Sequence, residues 1–127
     1  MRLTAHGHPN IKASHKTTFE FTKDCFVTKT GDCIVGINAD FSLSELKMLL
    51  NNKKIKITIK VDNQTEEIIA QPNKSFNSEH EIVVRKTNFV SKRTLAINSN
   101  KAAIDFDSIR EKLKNPEQKI IVKIEPI

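Results

Sequence analysis

The order of periodic segments along the chain predicts an α+β fold: a mostly antiparallel or mixed β-sheet with one short and one longer helix. Its strands meander in a way that suits a barrel-like closure. Three observations carry this expectation. Residues 54–61 alternate strictly, Lys54-Ile55-Lys56-Ile57-Thr58-Ile59-Lys60-Val61, as a strand with one solvated face should. Ala102, Phe106, Ile109 and Leu113 step by the three- and four-residue intervals that line one helix face. The strand-like segments follow one another without the regular helix after each strand that a doubly wound sheet requires. A chain of 127 residues with three Gly, four Pro and no repeat or linker is expected to fold as a single domain over residues 1–127.

Taken in order, residues 11–23 read as a long strand. His15, Thr17, Phe19 and Phe21 share one parity and Lys16, Thr18, Glu20 and Thr22 the other, so the second row is expected on a solvated face. Thr28-Lys29-Thr30-Gly31-Asp32 is turn chemistry in which Gly31 is free to take positive φ, and it leads into a strand over 33–39. Ser42-Leu43-Ser44-Glu45 has capping-box spacing ahead of Leu46, Leu49 and Leu50, which predicts a short helix over 43–50. After the strand at 54–61, Asp62-Asn63-Gln64 turns the chain back into a strand over 65–71 ended by Pro72, with 73–79 as an exposed loop. Residues 81–87 and 93–97 supply two more strands. Asn98-Ser99-Asn100 then offers N-cap chemistry for a helix over 101–114, stopped by Asn115-Pro116, and a last strand runs over 119–125.

No stretch approaches the ~20 apolar residues of a membrane-spanning helix, and the first residues are polar instead of forming a signal core; a cytoplasmic protein with no membrane partner is expected. Cys25 and Cys33 lie too far apart for a C-x-x-C motif and read as buried thiols. The formal net charge of +6 is unevenly spread. Residues 1–19, 46–61 and 82–104 contain no acidic side chain, the last carrying Arg85, Lys86, Lys92, Arg93 and Lys101. Such segments attract polyanions or phosphates, although lysines that merely solvate a surface look the same. Arg85 and Arg93, each followed by Thr within two residues, are the best anion-binding candidates, because Arg presents a planar fork that hydroxyls can supplement. With neither Trp nor Tyr, stacking on bases would rest on Phe and His.

Three of the four histidines fall in the first fifteen residues. His6 and His8 on an extended segment would point the same way, and His15 could complete a three-nitrogen site for a divalent metal that activates water. Against this stand Gly7 and Pro9, which interrupt the alternation, and the absence of an H-E-x-x-H motif. Glu20 and Asp32 are the carboxylates placed to act as a general base. There is no nucleophile elbow, P-loop or dinucleotide-binding loop, which argues against nucleotide-hydrolysing and dinucleotide-dependent chemistry.

Gly7-His8-Pro9-Asn10-Ile11, His15-Lys16-Thr17-Thr18-Phe19-Glu20 and Gly31-Asp32-Cys33-Ile34 together resemble a small, mainly archaeal family classed as a domain of unknown function. The resemblance spans nearly the whole chain and implies an archaeal, intracellular origin, with no activity to transfer. It also implies that His8, Asn10, His15, Thr17, Thr18, Glu20, Gly31 and Asp32 belong to the family motif. The leading expectation is a ligand-binding or nucleic-acid-associated protein that recognises a nucleic acid or a phosphorylated small molecule. Its site would be His8, Asn10, His15, Thr17, Thr18, Glu20 and Asp32, with Arg85 and Arg93. The alternative is a metal-dependent hydrolase or lyase with ligands His6, His8 and His15 and base Glu20 or Asp32. A structural or assembly subunit is the third.

Overall fold

The strictly alternating run at 54–61 is extended, as its pattern requires. The computed structural model describes residues 1–127, with strands β1 (Arg2–His6), β2 (Thr18–Thr22), β3 (Ile34–Gly36), β4 (Ile55–Val61), β5 (Gln64–Pro72), β6 (Glu81–Arg85), β7 (Thr94–Ile97) and β8 (Lys119–Pro126). A single α-helix, α1 (Leu43–Lys47), lies between β3 and β4. The strands form one mixed sheet in the order β1-β8-β4-β5-β7-β6-β2-β3, in which only β6/β7 and β2/β3 run parallel. No ladder closes this sheet into a barrel. Its edge strands meet at one antiparallel bridge, where His6 N donates to Ile37 O at 2.8 Å and Ile37 N returns to His6 O at 2.9 Å.

In β4, Ile55, Ile57, Ile59 and Val61 are all buried, as the alternation requires, and β8 adds Ile120, Val122 and Ile124 to the same core. In β2, Phe19 and Phe21 face the core, Phe19 meeting Phe106 edge-on with ring centroids 5.1 Å apart. Gly36 lets β3 approach this pair, since a Cβ there would come within 2.9 Å of the Phe21 ring.

Several expectations are corrected. β1 was not anticipated; the short run Arg2–His6 is a strand because it pairs with β8 along its whole length. The long strand over 11–23 begins only at Thr18, because Ala13 takes a φ of +47° and Ser14 and His15 both donate their amides to the carbonyl of Asp32. Likewise the strand over 33–39 is confined to Ile34–Gly36. The polar row of β2 is not solvated: Thr18, Glu20 and Thr22 are buried, because β2 lies between β6 and β3 and its outer face is covered by Arg93 and Cys33.

The helix over 101–114 is replaced by two 3-10 turns, Ala103–Asp105 and Lys112–Lys114, although Ala102, Phe106, Ile109 and Leu113 are all buried as their spacing implied. The Arg110 guanidinium takes the carbonyls of Ala103 (3.0 Å) and Ile104 (2.6 Å), which a helix would have offered to its own amides four residues on. The amide of Ile104 is meanwhile spent on the His15 carbonyl at 3.1 Å.

Helix α1 lacks the expected capping box; the Ser42 hydroxyl bonds to the Ser44 hydroxyl at 2.8 Å and makes no cap bond. Its leucines do pack, with Leu46, Leu49 and Leu50 buried. Gly31 does not take positive φ, a role filled by Ala13, Asn38, Asp62 and Asn98. Phe76 and Asn73 anchor the 73–79 loop in the interior. Cys25 is exposed and Cys33 half-buried, both as free thiols.

Candidate functional site

Antiparallel pairing of β2 with β6 sets Thr18 opposite Arg85, Glu20 opposite Val83 and Thr22 opposite Glu81, so these side chains share the outer face of the sheet. The parallel β6/β7 pairing adds Thr94 beside Val83, and the residue before β7, Arg93, leans across the same face. Thr94 is fully buried and organises what surrounds it. Its hydroxyl oxygen accepts from Arg85 Nε (3.0 Å) and from the Ser91 amide (3.2 Å), which leaves its own proton for Ser91 Oγ at 3.1 Å. Arg85 is thereby held by one nitrogen, and its two Nη groups bond to no protein acceptor.

Around Glu20 the chemistry is that of a desolvated carboxyl. Arg93 Nη1 is 3.7 Å from Glu20 Oε1 and 3.3 Å from Glu81 Oε1, while the Cys33 thiol points at Glu20 Oε1 from 3.8 Å. Burial raises the Glu20 carboxyl to about 8, helped by hydrogen bonding and repulsion from Glu81 and opposed by Arg93. At neutral pH Glu20 is mostly protonated. Burial, then the nearby Glu20 and Asp32 carboxyls, push the Cys33 thiol up to about 11, so it stays a thiol and is a poor nucleophile. The Arg85 guanidinium is lowered from its ordinary value by burial and next by the charge of Arg93, a repulsion that an anion between the two would relieve.

The structure brings some of the predicted residues together and leaves others apart. Thr18, Glu20 and Arg85 share the outer face of β2 and β6, with Arg93 over Glu20 and Glu81; His15, Thr17 and Asp32 meet in the chain leading into β2, where the His15 amide bonds Asp32 O at 3.2 Å, His15 Nδ1 accepts from the Thr17 amide and Lys86 N bonds Thr17 O at 2.8 Å. His8 and Asn10 are elsewhere and work as turn residues. His8 Nδ1 accepts from the Asn10 amide at 3.0 Å, and Asn10 Nδ2 ties the turn to the carbonyl of Val27 at 2.9 Å. Gly7 beside them is obligatory, since a Cβ there would run into the backbone carbonyls of Leu113 and Asn115.

The expected metal ligands His6, His8 and His15 do not converge, and nowhere do three His, Cys, Asp or Glu side chains gather in a metal-holding arrangement. His6 is fixed in the β1–Ile37 bridge, with Nδ1 buried and unpaired. His8 and His15 each use Nδ1 as an acceptor for a local amide.

Sequence reasoning overlooked Glu81, Cys33 and Phe89. Glu81 shares the parity of Val83 and Arg85, which was a usable signal once 81–87 was read as a strand. Cys33 and Phe89 gave no signal, because their placement depends on long-range partners.

The largest cleft, about 500 Å³, lies away from this face and is lined by Lys23, Ser42, Leu43, Ser44, Lys47 and Glu79. Lys23 there is held over the Phe41 ring, 4.5 Å from its centroid. Neither Arg85 nor Arg93 lines any cleft, so the arginine face is an open surface and not a small-molecule pocket.

The chain matches the family described as Domain of unknown function (DUF371) over residues 3–127. It is also 41% identical over 130 residues to Uncharacterized protein MJ0206 of the archaeon Methanocaldococcus jannaschii, a similarity covering 96% of both chains.

Proposed function

The chain belongs to the DUF371 family, a domain of unknown function, and from the geometry of its outer sheet face we propose that it is a binding protein recognising an anionic, phosphate-bearing partner. One observation carries this reading: the Arg85 guanidinium is fixed by Thr94 with both Nη groups free, next to Arg93, on a face whose buried carboxyl is held neutral. Two guanidiniums in one place repel each other, and a phosphate bound in bidentate fashion removes that repulsion. The Ser91 hydroxyl stands beside the Thr94 hydroxyl that anchors Arg85. Lys92, adjoining Arg93, is exposed and extends the positive field of this face. Two free thiols fit a reducing, cytoplasmic setting.

Titration with inorganic tripolyphosphate and with a fluorescein-labelled oligonucleotide, at low and raised salt, tests the reading. Binding of at least one probe should weaken steadily as salt rises. Arg85→Gln and Arg93→Gln should each cost about 10- to 100-fold in affinity, the worth of one charge-assisted hydrogen bond. Binding should also decline as pH rises through about 8, where Glu20 gains its charge, and Glu20→Gln should abolish that decline. No binding of either probe at low salt, or binding indifferent to both arginine variants, overturns the proposal.

A further inference from the structure

The segment between β6 and β7 ends in an exposed aromatic. Phe89 is 60% exposed and Val90 47%, at the tip of Thr87-Asn88-Phe89-Val90-Ser91-Lys92, within a stretch that carries four cations and no acidic residue between Arg85 and Arg93. A phenyl ring costs free energy when left in water, yet this one is presented on a braced loop. On one side, Thr87 O accepts from the Asn98 amide at 3.0 Å; on the other, the Ser91 amide bonds Thr94 Oγ1, and Ser91 O accepts from Asn73 Nδ2 at 3.2 Å. The Arg85 guanidinium carbon sits 4.9 Å from the Phe89 ring centroid, covering part of the ring and orienting the rest outward.

Resting on the anion-binding reading of the same face, we propose that Phe89 is a stacking platform for an unpaired base, making the partner a single-stranded nucleic acid. Arg85 stiffens the ring and, with Lys92 and Arg93, takes the adjoining phosphates. The arrangement of an aromatic ring beside free guanidinium and ammonium groups is what a strand with exposed base faces and flanking phosphates requires. A duplex hides its base faces, leaving an exposed ring nothing to stack on. An open face instead of a cleft also suits an extended strand better than a small molecule. Charge complementarity favours this occupant over an uncharged protein surface.

The test is fluorescence anisotropy with three probes: a labelled oligouridine, an abasic strand of the same length, and a duplex of that length. Phe89→Ala should lower affinity for oligouridine by about 5- to 100-fold, the loss of one stacked base, and leave the abasic strand and duplex unchanged. Phe89→Leu keeps an apolar side chain without a ring and should fail to restore the affinity, whereas Phe89→Trp should equal or exceed the wild type. Because Phe89 is exposed, none of these variants threatens the fold. The salt dependence should survive in Phe89→Ala and fall in Arg85→Gln, which separates stacking from charge. If Phe89→Ala binds oligouridine as well as the wild type, or weakens all three probes equally, the stacking proposal fails while the anion site stands. If tripolyphosphate binds through the arginines and no oligonucleotide does, the proposal fails in the same way. Association with anionic lipid vesicles in the absence of oligonucleotide binding overturns it as well, and silence from every phosphate probe removes both readings together.

Discussion

Replacing Glu20 by Gln should change the pH dependence of stability more than any other single substitution at the site. The folded carboxyl titrates at about 8 against an ordinary value of 4.5, so the folded state holds its proton more tightly than the unfolded state does. A group raised in this way contributes stability that is fully present below about pH 4.5 and is lost as pH rises through about 8. Each pKa unit is worth about 1.4 kcal/mol, so the carboxyl alone can make the protein up to about 5 kcal/mol less stable at pH 9 than at pH 4. Sharing of the proton with Glu81 lowers this ceiling, and an effect of about 2–4 kcal/mol is expected. Gln at position 20 keeps the shape, cannot ionise, and retains an acceptor for the Cys33 thiol. Urea unfolding of both proteins at pH 5, 7 and 9 reads the contribution of Glu20 together with its coupling to Glu81 and Cys33, since titrating groups remote from it cancel in the difference. The variant should match or fall slightly below the wild type at pH 5 and exceed it at pH 9. Parallel pH profiles would show that Glu20 is charged at neutral pH, and the argument for a face left net positive by a neutral carboxyl would fall with it.

Other substitutions follow from the same geometry. Glu81→Gln removes a repulsion and so lowers the Glu20 pKa; the fall in stability should begin at the same pH but end at a lower one and be smaller in total, readable in the same unfolding series. Gly7→Ala should destabilise by at least about 3 kcal/mol or prevent folding, because the new methyl meets backbone carbonyls that cannot give way; a thermal midpoint within a degree or two of wild type would refute the close approach. Phe106→Ala opens a cavity beside Phe19 and should cost about 3–5 kcal/mol in denaturant unfolding. His80→Ala loses only a solvent-exposed pair with Asp24 at 2.8 Å and should change stability by less than about 1 kcal/mol.

How much was legible in the sequence depended on whether the deciding forces were local. The strict alternation of residues 54–61 became β4 with every second side chain buried, and the apolar centre of the last strand became β8 between β1 and β4. Period-two burial is a property of the strand itself and needs no knowledge of its partners. The same holds for the turn at Asp62, where a positive φ of 55° was available to Asp. Local spacing also identified the right core residues around Phe106 while misjudging their backbone. The side chains had to face inward, but whether the segment was helical depended on a competitor for its carbonyls, Arg110, whose geometry the spacing does not encode.

What the sequence by itself determined, then, was an α+β chain with mostly antiparallel strands, the positions of β4, β5 and β8, the family it resembles, and a basic segment around Arg85 and Arg93. Only the tertiary structure decided that Thr18, Glu20 and Thr22 are buried and that Glu20 is raised to about 8. It also separated His8 and Asn10 from His15, and gathered Glu81, Cys33 and Phe89 around two arginines. Those outcomes turn on strand register and on which loop covers which face. Pairing partners far apart in sequence set them through long-range hydrogen bonds and desolvation, and neither leaves a periodic trace in the residues it acts upon.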